Sequence, residues 1–107
     1  YTSEKDQSDI ELAASANFDW SLPSDFMRTT KDFWATSSHH ITVGGTITPT
    51  GKILRVGIIE PDGIRRCIYA TGSFSYPFPL DKTGFYCVYA INDNSEVVNL
   101  SGHYGSY

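Results

Sequence analysis

The chain has 107 residues, 12 acidic and 8 basic, for a formal charge of −4. That length makes one domain with one modest core, and 14% aromatic with 40% hydrophobic residues excludes disorder along the whole chain. No basic surplus exists to hold a phosphate backbone, which removes nucleic acid as a partner class, and no apolar run is long enough to span a bilayer as a helix.

Charge divides the chain. Glu4, Asp6, Asp9, Glu11 and Asp19 stand against Lys5 alone in residues 1–22, whereas residues 23–107 hold seven acids and seven bases. Such asymmetry marks a solvated arm. Ser8-Asp9-Ile10-Glu11 fits a capping box, and Leu12 to Ala14 extend it to a short helix before Asn17 and Pro23. A helix that short is marginal without docking. Residues 1–23 are therefore expected to form an irregular acidic arm.

From residue 24 to 107 the pattern is all-β. Strands are predicted at Phe26–Thr30, Phe33–Thr36, His39–Thr48, Ile53–Glu60, Ile64–Ala70, Phe74–Phe78, Tyr86–Asn92 and Val97–Tyr104. The punctuation is chemically specific: Pro49-Thr50-Gly51-Lys52 suits a turn, and Glu60-Pro61-Asp62-Gly63 is the strongest hairpin signal. The fold class expected is an antiparallel β-sandwich, jelly-roll or Ig-like. Alternation sends Tyr86, Val88 and Ala90 inward with Ile41, Val43, Ile47, Val56, Ile58, Ile68 and Val97.

The opposite parity carries Arg65, Cys67 and Tyr69 in one strand and Phe85, Cys87, Tyr89 and Ile91 in another. If those strands pair directly, Cys67 and Cys87 are placed for a cross-strand disulfide, with Arg65 near Tyr89 and Tyr69 near Phe85. A bridge closing that loop would contribute roughly 3 kcal/mol on the chain-entropy model. The alternative is two free thiols behaving as small hydrophobes. A disulfide would go with an oxidising compartment.

Catalytic signatures are lacking. His39 and His40 point to opposite faces of a strand, His103 stands apart, and no ligand spacing for zinc is present. No Gly-x-Ser-x-Gly elbow occurs, and Gly44-Gly45 precedes no helix. The reading is of a protein that is not an enzyme; a small hydrolase is the least favoured class. No cofactor is implied except calcium, for which Asp93, Asn94 and Glu96 form one dense group of hard oxygen donors. Aromatic residues are the best binding candidates, because flat rings stack on sugars and anchor protein contacts. Trp34, Tyr69 and Tyr89, with Arg65, are the site residues expected. A polysaccharide or an extracellular protein is the partner class they suit. Self-assembly through an edge strand is the second reading.

The stretches His40–Ile47, Ile59-Glu60-Pro61-Asp62-Gly63, Thr83–Ala90 and Val97–Gly102 resemble small exported bacterial β-sandwich modules. Among these the chain is most similar to the prepeptidase C-terminal-like domain of secreted bacterial enzymes, a type with a dPdG hairpin and a TGxYxV strand in a jelly-roll sandwich. The resemblance implies an extracellular, non-catalytic accessory module; some members of that type bind calcium or a matrix polymer. It usually lacks the two cysteines seen here. The first residue is Tyr1 and not Met, which suits a processed chain. Together these features set the expectation of a secreted bacterial binding module, extracellular or on the cell surface.

Overall fold

A computed structural model describes residues 15–107; the capping box at Ser8–Glu11 lies outside them. Nine strands follow one another: β1 Ser15–Leu22, β2 Met27–Thr29, β3 Phe33–Ala35, β4 His40–Thr48, β5 Ile53–Ile59, β6 Arg65–Thr71, β7 Ser73–Pro79, β8 Gly84–Ile91 and β9 Val98–Ser106. One sheet has the order β1-β9-β4-β7, and the other the order β2-β8-β5-β6 with β3 also on β8. Every pairing is antiparallel. Among the described residues no helix is long and apolar enough to cross a membrane.

The connectivity decides between the two expected sandwiches. β2 lies on Tyr89–Ile91 and β3 on Gly84–Tyr86 of the same strand, so they are two parts of one interrupted strand. Counted so, eight strands lie in the order first-eighth-third-sixth and second-seventh-fourth-fifth. That is the double Greek key of a jelly roll. An Ig-type sheet would pair the first strand with the second; here β1 pairs with β9.

β1 corrects the expectation of an irregular arm over residues 1–23. Ser15–Leu22 pairs residue for residue with β9 from Gly105 to Val98. The cause is its alternation: Trp20 and Leu22 are buried and Phe18 packs against the core, while Asn17, Asp19 and Ser21 face outward. An acidic side chain on a solvent face does not weaken a strand whose other face is apolar.

Between the sheets, Tyr86, Val88 and Ala90 pack with Ile41, Val43, Ile47, Val56 and Ile58 as the alternation predicts, and Phe33 stacks on Tyr104 at 4.5 Å. Ile68 is only partly buried. Val97 is 52% exposed, and Val98 takes the core position instead. A slip of one residue exchanges the faces of a strand.

The expected Cys67–Cys87 disulfide is not formed; both thiols are free. Topology forbids it. β5 lies between the two strands, with Gly57 opposite Cys67 and Ile59 opposite Cys87. Two inter-strand spacings of about 4.8 Å separate the cysteines by more than the roughly 7 Å that a bridge can span.

Candidate functional site

Leu54, Val56 and Ile58 of β5 point into the core, so Arg55, Gly57 and Ile59 face outward. Register then builds the outer face of the five-stranded sheet in rows. Arg65, Ile59 and Cys87 form one, Cys67, Gly57, Tyr89 and Thr29 the next, and Tyr69, Arg55, Ile91 and Met27 the third. Beyond the first row, Phe85 pairs with Trp34.

Trp34 and Phe85 make an edge-to-face pair at 5.1 Å and remain 48% and 58% exposed. Tyr69, on edge strand β6, is 74% exposed. These rings mark the two ends of a strip roughly 20 Å long, six residues along β8. Tyr69 is not beside Phe85 as direct strand pairing would have placed it, because Arg55 and Ile91 share its row.

Arg65 does lie near Tyr89. Its guanidinium stands 5.6 Å above the ring centroid, within cation–π range. Tyr89 itself is not a contact platform: it is 2% exposed. Gly57 beside it carries no side chain, and a Cβ there would collide with the Arg66 carbonyl oxygen and come within 2.7 Å of the Cys67 Cα. Burial first, then a hydrogen bond with Cys67, pushes the Tyr89 phenol up to about 12. Tyr89 is thus the seat of Arg65, whose own charge faces solvent with no carboxylate partner among the described residues.

The oxygen donors expected for calcium are turned onto separate partners. Asp93 takes two hydrogen bonds from Arg55, at 2.7 and 3.0 Å, and the guanidinium holds its carboxyl below the usual range. Glu96 is ion-paired with Lys52 and is lowered for the same kind of reason. The Asn94 amide donates to the Ile53 carbonyl and to Asn92. Among the described residues no three His, Cys, Asp or Glu side chains group for a metal.

The sheet on the other side presents a different surface. Asp19 and Ser21, Asn99 and Ser101, and Thr46 and Thr48 line a shallow hollow of 330 Å³. Its outward side chains are short and polar, and buried Trp20 and Leu100 complete its lining. His103 lies further along the same face, against Gly44.

Sequence reasoning named Trp34, Tyr69 and Arg65 as site residues and overlooked Phe85 and Arg55. Both share the parity of Tyr89 and Cys67 across the sheet, a signal that was available. No family model matches the chain, and no curated protein matches it significantly.

Proposed function

We propose that the chain is a secreted, non-catalytic binding module that holds an extracellular polysaccharide on the outer face of its five-stranded sheet. The observation that carries this reading is the exposed strip itself. Trp34 and Phe85 offer rings at one end, Tyr69 a ring at the other, and between them stands the Arg65 guanidinium, without a carboxylate partner among the described residues. Sugar C–H faces stack on rings, and guanidinium N–H groups donate to hydroxyls or uronate carboxylates. Jelly rolls also serve as lectin domains, an analogy of fold that supports the class of ligand and no particular one. The resemblance to the prepeptidase C-terminal-like type favours an extracellular accessory role. Asp93 and Glu96 already hold cations of this chain, so the reading gives calcium no part in the strip.

The test is retention on immobilised neutral and acidic polysaccharides, with mucin and collagen as protein-bearing controls. Saturable retention on a polysaccharide, weakened about tenfold by Trp34→Ala or Tyr69→Ala with the fold intact, is the expected result. Retention that ignores both substitutions, or no retention on any polysaccharide, overturns the reading.

A further inference from the structure

The four sheet edges are unequally protected. β7 carries Pro77 and Pro79, β2 and β3 have three residues each, and β1 has Asp19 near its centre. β6 is seven residues long, Arg65-Arg66-Cys67-Ile68-Tyr69-Ala70-Thr71, without proline, glycine or acid. Natural edges are normally blunted by such residues or by outward charge. Neither arginine sets its charge along the free edge itself, although the Arg65 guanidinium is exposed to solvent. Arg66 is turned onto Glu60 and the Pro79 carbonyl, and Arg65 lies over Tyr89.

The free hydrogen-bonding groups of β6 follow from its pairing with β5. Glu60 N–H donates to the Ile64 carbonyl at 2.8 Å, which sets the phase of the ladder. Arg66, Ile68 and Ala70 therefore direct their main-chain groups to β5, and Arg65, Cys67 and Tyr69 direct theirs away from it. No described strand lies on that side.

We propose that β6 pairs antiparallel with β6 of a second copy about a two-fold axis at Cys67. In that register Cys67 faces Cys67 of the second copy, and Arg65 faces Tyr69 of the second copy on both sides of the axis. The outward groups of the three residues then close about six main-chain hydrogen bonds. The sequence is palindromic in chemistry: cation, thiol, aromatic meets aromatic, thiol, cation. An axis at Arg65 would oppose like charges, and one at Ile68 would leave Arg65 facing Thr71 instead of a ring. The two five-stranded sheets become one continuous sheet, and the aromatic strips of both copies lie on the same face. This pairing stands whether or not that face holds a polysaccharide; if it does, the paired strips supply avidity.

Sedimentation across the micromolar range, under reducing conditions, should show a monomer–dimer equilibrium. Cys67→Lys sets two ammonium groups against each other on the axis and should weaken association at least about tenfold, with an unchanged circular dichroism spectrum. Tyr69→Lys, which opposes Arg65 of the second copy, gives the same result and covers the case in which the first variant misfolds. Register is read with oxidised glutathione. One Cys67 thiolate attacks its disulfide and releases a glutathione thiolate. The Cys67 thiolate of the second copy then displaces the other glutathione, leaving a Cys67–Cys67 bridge and two reduced glutathione molecules. That bridge should form in the native sequence and in Cys87→Ser. A chain that stays monomeric throughout, a dimer indifferent to both lysine variants, or a dimer that yields no Cys67–Cys67 bridge overturns the proposal.

Discussion

The side-chain amide of Asn92 donates to the Leu22 carbonyl at 2.8 Å, joining points 70 residues apart in the chain. Leu22 ends β1 in one sheet, and Asn92 follows β8 in the other. The same amide donates to the Glu96 carbonyl at 2.7 Å, and its oxygen accepts from the Asn94 main chain and side chain at 2.8 Å each. Asn92 has no solvent exposure, so no water can replace it from bulk. Asn92→Leu keeps the volume and orphans two carbonyls, at about 1–3 kcal/mol each. Asn92→Asp turns a carboxylate toward those carbonyls and fares no better. The expected loss for either variant is about 3 kcal/mol or more in urea unfolding. A midpoint unchanged from the native chain would mean that the clamp carries no weight.

Gly57 sets how closely β6 approaches β5. A Cβ there strikes main-chain atoms of Arg66 and Cys67, which cannot swing aside as a side chain can. Gly57→Ala should therefore push β6 outward and cost about 1–3 kcal/mol. Amide exchange is expected to quicken in Arg65–Thr71 while β4 and β9 keep their protection. Uniform loss of protection across both sheets would place the strain elsewhere.

Much of this fold is legible in the sequence, and its failures are physical. From Ile53 onward, alternation and turn chemistry give each strand to within two residues at either end. Asp62 accepts from the Ile64 amide, and Gly63 takes a φ of 88° in the hairpin expected there. β1 was also legible: Phe18, Trp20 and Leu22 alternate, but the run of acids upstream hid a pattern that Asp19 does not interrupt. Strand order was beyond reach, since β5 comes between β6 and β8 only through non-local pairing. That single insertion removed the disulfide and parted Tyr69 from Phe85. It also kept Arg65 near Tyr89, because a long side chain can reach diagonally across glycine-bearing β5. Asn92 read as an ordinary turn residue. Its role appears only when Leu22 and Glu96 arrive from either side.

The two thiols should differ in reactivity. Cys67 is exposed; Cys87 is buried, and burial, with Asp32 nearby, pushes its thiol up. The thiolate is the reactive form, and access is needed as well. Iodoacetamide at neutral pH is expected to modify Cys67 in the folded protein and to reach Cys87 only on unfolding. Peptide mass spectrometry assigns the sites. A Cys67–Cys87 bridge in the native protein would overturn the strand order itself.

Acid should weaken the fold through exposed pairs. The Ile64 amide lowers the Asp62 carboxyl, Arg55 lowers that of Asp93, and Lys52 lowers that of Glu96. With folded values below unfolded ones, their stabilisation is complete above about pH 4 to 5 and is lost as pH falls through the folded values. Lys82 acts in the opposite direction. Its hydrogen bond to Glu60 raises it, so its share is present below the ordinary lysine range and lost as pH rises through the folded value. Solvent screens all four, and each effect is modest. Asp93→Asn isolates one of them: it keeps the shape and removes the charge that Arg55 holds. The native chain should melt at a higher temperature than the variant at pH 7, and the two curves should converge as pH falls through the acid limb. Added salt should narrow the gap at pH 7 as well. A gap that stays constant from neutral to acid pH would show that the Arg55–Asp93 contact stabilises through shape and not through charge.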